Sequence, residues 1–192
     1  MANTASSMIA ECAKHIGYKE GPNNDNKFGV WYPMNHQPWC AMFISYCAAY
    51  SGNDDIIPKY AACVNGVAWF RERGLYDSTP SVGAIVFYGP GGGDHTEIVE
   101  SFDETTITTI GGNTNNDGSS NGDGVYRRHV KRNSTRIHGY GHPNYKQEED
   151  LDMPKRVSLG RNAEAVFKPN ERKELVFDVE YDDAGNQHGA GG

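Results

Sequence analysis

Cys40 stands in the run Pro38-Trp39-Cys40-Ala41-Met42-Phe43, at the head of an apolar stretch that continues to Tyr50 and ends at Ser51-Gly52. Proline suits a first helical turn and glycine the position just past a last one, so the stretch predicts a helix with Cys40 at its start. The unpaired N–H groups and the dipole of a helix start favour an anion. A thiol there loses its proton more easily than free cysteine, whose pKa is about 8.5. Cys40 is therefore the candidate nucleophile. Cys47 lies two turns further along the same helix, roughly 10 Å up the axis and beyond disulfide reach. Together with Cys12 and Cys63 it reads as a small buried hydrophobe. The four cysteines form no CxxC pair.

A thiolate needs a base. His95 follows the glycine turn Gly89-Pro90-Gly91-Gly92-Gly93-Asp94 and opens the extended run Thr96-Glu97-Ile98-Val99-Glu100-Ser101. A histidine at a strand mouth can face a helix start across a cleft, which makes it the candidate proton carrier. His15, His129, His138 and His188 read as solvated, and His36 draws notice only because it precedes Cys40 by four residues.

Other site types fit poorly. The stretch from Asn113 to Gly118 imitates a calcium loop but begins with Asn and has Gly124 where the bidentate Glu belongs. Asp25, among asparagines, is a minor calcium candidate. His138 and His142 have helical zinc spacing, but Gly139 and Gly141 oppose a helix. No metal and no cofactor are expected. Arg127, Arg128, Lys131, Arg132 and Arg136 read as a solvated strand face.

The elements that must position Cys40 and His95 follow from the hydrophobic period. A helix is expected over 4–16, with the apolar stripe Ala5, Met8, Ile9, Cys12 and Ile16, and another over 61–73 before Gly74. Residues 20–33 read as a polar loop with embedded aromatics. After Pro80 the period turns to strands, over 82–88, 96–102, 105–110 and 124–130. Helices first and antiparallel strands after give an α+β domain over 1–147, closed by 139–145. Residues 148–192 read as an acidic linker and a partial β-rich segment with strands near 156–159, 163–167 and 174–181.

Five blocks in order carry a family resemblance: Pro38-Trp39-Cys40-Ala41-Met42-Phe43, Ser81-Val82-Gly83-Ala84-Ile85-Val86-Phe87-Tyr88, His95-Thr96-Glu97-Ile98-Val99-Glu100, Ile110-Gly111-Gly112-Asn113-Thr114 and Gly139-Tyr140-Gly141-His142-Pro143. They resemble the CHAP domain, the cysteine- and histidine-dependent amidohydrolase/peptidase family common in bacteriophage endolysins. The polar loop from Glu20 is similar to one in lysins of phages of Gram-positive hosts. The resemblance spans about residues 4–145 and implies a papain-like α+β fold, N-terminal helices packed on an antiparallel sheet. It also implies peptidoglycan as substrate, attacked at an amide or peptide carbonyl by Cys40, with His95 relaying protons through an acyl-enzyme. Backbone N–H groups at the helix start would hold the oxyanion, with Gln37 as an additional donor.

The chain departs from the family where the imidazole's partner should be. Many members carry Glu-Gly-Asn where this chain has Gly111-Gly112-Asn113, and its histidine block places Glu97 two residues after His95. Asn113 is the preferred third catalytic residue, orienting the imidazole as asparagine does in papain-like enzymes. Glu97 is the alternative. It lies on the strand face of His95 but about 7 Å along the chain, an awkward reach.

A net charge of −7 argues against nucleic acid, and no apolar run is long enough to span a membrane. Residues 148–192 hold 11 of the 25 acidic side chains and 6 of the 18 basic ones, so the acidity concentrates there. A monomer without nucleic-acid or membrane partners is expected. The start lacks the basic and apolar regions of a signal peptide. That fits a lysin held in the host cytoplasm until a holin releases it, or one carried in a virion. A catalytically inactive CHAP scaffold that binds cell wall, and a bacterial amidase toxin, are the rival readings.

Overall fold

The computed structural model describes residues 3–117 and 119–146, and the strand segments 155–158, 164–167 and 176–177. The chain divides into two compact units, Met1–Tyr145 and Lys146–Gly192.

The first unit begins with helix α1 (Ala5–Ala13), whose N-cap Thr4 accepts a hydrogen bond from the Ser7 amide. Met8 and Cys12 on its inner face are buried. The helix is shorter than its apolar stripe predicts, and Ile16 lies beyond it, exposed.

The expected loop 20–33 contains a helix, α2 (Lys27–Trp31). The Asn26 side chain caps it, accepting from the Gly29 amide at 2.7 Å. One residue of the polar run is thus a helix start, and Phe28 pays back the ordering by complete burial against the stacked ring of Trp39, with centroids 5.1 Å apart. The Trp39 indole N–H donates to the Glu20 carboxylate at 2.5 Å, tying the same loop to the start of the next helix.

Helix α3 (Cys40–Ser51) is the central element, buried on nearly every side, as an evenly apolar helix must be. It begins at Cys40, two residues after Pro38, and stops at Gly52 with φ 72°. Helix α4 (Cys63–Glu72) ends before Gly74, φ 67°.

Six antiparallel strands follow: β1 (Tyr76–Asp77), β2 (Ile85–Tyr88), β3 (His95–Phe102), β4 (Thr106–Thr114), β5 (Gly124–Lys131) and β6 (Ile137–Gly141), ordered β1-β6-β2-β3-β4-β5. The segment expected only to close the domain supplies β6, inserted between β1 and β2. Ile85, Phe87, Ile98, Ile110 and Val125 face the helices in one core, while Val86, Tyr88, Val99, Ile107 and Tyr140 form a second cluster. That alternation is the period-two signature of strands covered on both faces. The architecture is the expected α+β arrangement.

Helix α3 packs against β3 and β4. A Cβ at Gly112 would lie 2.5 Å from the Trp39 ring and 2.7 Å from the Phe43 Cβ, so glycine there lets the helix start settle on the strand.

The second unit holds β7 (Lys155–Ser158), β8 (Glu164–Phe167) and β9 (Val176–Phe177), an antiparallel sheet in the order β7-β8-β9. The acidic stretch 147–152 lies outside the described residues.

Candidate active site

Cys40 is the first residue of α3, and Trp39, its N-cap, makes no side-chain capping bond. The first N–H groups of the helix therefore remain open toward the thiol, and that of Ala41 favours its ionised form. Cys40 lies in a cleft of about 510 Å³, with Gln37, Cys63, Asp94, Ser120 and Asn121 around it. The Cys63 thiol, first residue of α4, lies 3.7 Å from Cys40 Sγ.

His95 opens β3 and pairs in register with Tyr88, whose ring stacks on the imidazole at 5.9 Å between centroids. Val86 pairs with Glu97, so His95 and Glu97 project from one face of the β2–β3 hairpin. His95 Nε2 and Glu97 Oε1 are 3.1 Å apart. The same oxygen accepts from the Arg128 guanidinium at 2.5 Å. The other carboxylate oxygen accepts from the hydroxyls of Thr109, at 2.6 Å, and Tyr88, at 3.0 Å. Thr109 and Arg128 arrive there because Val99 pairs with Thr109 and Thr109 with Arg128 across β3, β4 and β5.

Glu97 is 0 % exposed and His95 1 %, so every one of these contacts works in a weakly screening interior. Burial is the largest influence on the Glu97 carboxyl and opposes its charge. The hydrogen bond and charge of His95, with Arg128 and Thr109, outweigh it and hold the carboxyl at about 2. Burial likewise opposes an imidazolium, yet Cys40 and Glu97 push His95 up to about 9. The Cys40 thiol is held well below the ordinary thiol range, first by the hydrogen bond from Cys63 and then by His95, against burial. Imidazole Nδ1 is buried without a hydrogen bond and is the ring nitrogen that Glu97 does not engage.

The row Cys40, His95, Glu97, Arg128 thus joins residues from α3, β3 and β5. In this row the imidazole meets Glu97, the alternative partner, rather than Asn113. Asn113 is buried, but its side-chain amide donates to the Ser120 carbonyl at 3.3 Å, and its backbone carbonyl accepts from Gly122 at 2.9 Å. Its φ of 55° turns the chain into the loop that carries Ser120 and Asn121 to the cleft rim. Gly111 explains the exchange. A Cβ there would sit 2.5 Å from Glu97 Cγ, so the absent side chain at 111 is the room that Glu97 occupies.

Gln37 is exposed on the cleft wall, within the neighbourhood of Cys40. His36 turns away to the Asn23 carbonyl at 2.9 Å. The zinc pair does not converge: His138 meets Arg71, and His142 meets Ser81 and Asp77. Asp25 accepts from the Asn35 amide at 2.6 Å. Among the described residues no cluster of three His, Cys, Asp or Glu could hold a metal.

Sequence reasoning missed Arg128, which it read as solvated. Its side chain is only 12 % exposed and it is the cation beside Glu97, whereas the neighbouring Arg127 pairs with Glu100 at 2.6 Å near the surface. Removing one partner of a buried pair strands the other charge. Arg128→Gln is expected to lower unfolding free energy by about 3 kcal/mol in urea titration. A loss under about 0.5 kcal/mol would mean a solvated pair instead.

Residues 31–113 match the family model described as the CHAP domain. No curated protein matches the chain. Solved structures similar to it include Ly7917, at 15% identity over 73% of this chain and 62% of that one, with a TM-score of 0.46. Ly7917 with the hydrolysing product of MDP gives 15%, 73%, 63% and 0.46. The peptidoglycan hydrolase RipB from Mycobacterium tuberculosis gives 15%, 74%, 65% and 0.43. The chain spans less than two thirds of the length of each. The segment that matches the CHAP domain model contains Cys40, His95 and Glu97 together.

Proposed function

We propose that this chain hydrolyses amide or peptide bonds of bacterial peptidoglycan by a thiol mechanism. The family is one of cell-wall hydrolases. The observation that carries the finer reading is the buried row Cys40–His95–Glu97–Arg128, which ends in a thiol at an open helix start inside a cleft. In the proposed cycle the Cys40 thiolate attacks the carbonyl carbon, and the oxygen gains negative charge beside the α3 amides, with Gln37 as a side-chain donor. The intermediate collapses as His95 gives its proton to the leaving amine. Water then attacks the thioester, His95 takes the water's proton, and the freed carboxylic acid leaves.

The rival of an inactive scaffold was motivated by the missing carboxylate at 111. Glu97 supplies a carboxylate to the imidazole, which removes that motive. The setting we propose is a bacteriophage lysin. A gene beside an immunity protein would favour the toxin reading.

Mass spectrometry of fragments from defined peptidoglycan tests the activity and names the bond. Release of stem peptides with a free L-alanine amine identifies an amidase, and cleavage within the stem or cross-bridge an endopeptidase. Absence of any fragment from walls that a control lysin digests overturns the reading.

A further inference from the structure

Cys63 has no step in the cycle above, yet its sulfur lies 3.7 Å from that of Cys40. The two cysteines are the first residues of separate helices, α3 and α4, and neither helix has a side-chain cap. The two starts converge on the same cleft, which both cysteines line. Each is 4 % exposed, enough for contact with a small oxidant but not with a protein. Free cysteine pairs at this separation need only side-chain rotation to approach the roughly 2.05 Å of a disulfide, provided the backbone spacing allows it.

We propose that Cys40 and Cys63 form a reversible redox pair, in which Cys63 resolves hydroperoxide-oxidised Cys40 into a disulfide and so holds the site inactive until a thiol reductant reopens it. In the first step the Cys40 thiolate attacks the distal oxygen of a hydroperoxide. An S–O bond forms, the O–O bond breaks, and the departing oxygen takes up a proton to leave as water or an alcohol. In the second, the Cys63 sulfur gives up its proton and attacks Cys40 Sγ. The S–S bond forms, the S–O bond breaks, and hydroxide leaves with that proton as water. The two sulfurs together lose two electrons and the peroxide gains them.

The chemistry suits the two thiols' unequal states. Cys40 is held in its ionised form and Cys63 is pushed up by its hydrogen bond to Cys40 and by burial, so the pair keeps one proton, an attacking thiolate beside a protonated thiol. Without Cys63 a sulfenic acid at Cys40 has no adjacent thiol and proceeds to the sulfinic acid, which thiols do not reduce. Cys12 and Cys47, by contrast, are wholly buried in the core.

The disulfide chemistry stands on the geometry alone, and only its effect on turnover rests on the proposed hydrolase activity. The full chain is treated with hydrogen peroxide and digested without reduction. A Cys40–Cys63 crosslinked peptide is expected, with wall hydrolysis falling as the crosslink rises and dithiothreitol restoring both. In Cys63→Ser, and in Cys63→Ala should serine disturb packing, the same dose is expected to place two oxygens on Cys40. The activity recovered by dithiothreitol should fall at least about tenfold relative to the unmodified chain. The proposal is overturned if the unmodified chain gains oxygen at Cys40 without a crosslink, if the crosslink joins Cys12 to Cys47, or if the Cys63 variants recover as fully as the unmodified chain. A Cys40–Cys63 crosslink in a chain that never cleaved wall material would uphold the pair and refute the hydrolase reading.

Discussion

Cys40→Ala is expected to lower release of peptidoglycan fragments by at least about a thousandfold, the scale on which nucleophile removal acts in hydrolases. The fold should survive. Alanine is a strong helix former, and the substitution removes one sulfur from a buried side chain that also lines the cleft, a loss of about 1 kcal/mol. Cys40→Ser tests the chemistry more sharply because it keeps the volume. Its hydroxyl stays protonated where the thiol ionises, so the rate should fall nearly as far. Iodoacetamide should label Cys40 before the fully buried Cys12 and Cys47, matched by loss of activity. Wall cleavage at the original rate by Cys40→Ala would falsify the assignment, provided the protein contains no contaminating hydrolase.

The second large effect is expected at Glu97. Glu97→Gln keeps the shape but removes the charge that holds His95 protonated, and should cost roughly one to two orders of magnitude in rate. A pH profile separates this from mere damage to packing. The imidazolium must be protonated to release the amine, so activity in the unmodified chain should decline as pH rises through about 9. Without the carboxylate the imidazole loses its proton more readily, and the decline should begin at lower pH. The acid limb, set by the Cys40 thiol, lies well below the ordinary thiol range. Asn113→Ala should act differently. It loosens the loop bearing Ser120 and Asn121, raising KM more than it lowers kcat and leaving the alkaline limb in place. Gly111→Glu alone should be harmful, because its Cβ meets Glu97 at 2.5 Å. Combined with Glu97→Ala it offers a carboxylate from the neighbouring strand and should recover part of the rate. If Asn113→Ala instead moves the alkaline limb and Glu97→Gln does not, Asn113 orients the imidazole.

The helix start at Cys40 and the strand mouth at His95 were legible because their cues are local. A proline-led apolar run marks a helix start, and a glycine turn marks a strand mouth. The carboxylate beside the imidazole was not, because its place depends on space released by another strand. Two residues along β3 look too far apart for His95 and Glu97 to meet when counted along the chain, yet both side chains leave the same face and close to 3.1 Å. Nothing near Arg128 in sequence distinguishes it from Arg127. The register Thr109 to Arg128 decides which guanidinium turns inward, and register is a long-range property. Helix α2 was hidden for the opposite reason. Asparagine is both a turn residue and a good N-cap, and only the burial of Phe28 selects the second role. Cys63 was read correctly as buried, but burial alone does not reveal its neighbour.

The buried row has a consequence for the energetics of turnover. In the resting state its charges alternate as thiolate, imidazolium, carboxylate and guanidinium, and they sum to zero. When the proposed acyl-enzyme forms, sulfur loses its charge to a thioester and the imidazole loses its own with the departing amine. Carboxylate and guanidinium remain, and the sum is again zero. Electroneutrality is conserved between the resting and acylated states, so the low-dielectric interior never has to host an unbalanced ion in either. A row ending at Glu97 would carry an excess negative charge in both states. The inward turn of Arg128 thus makes a carboxylate tolerable at a depth where, without a permanent cation, it would draw the proton that catalysis needs on the imidazole.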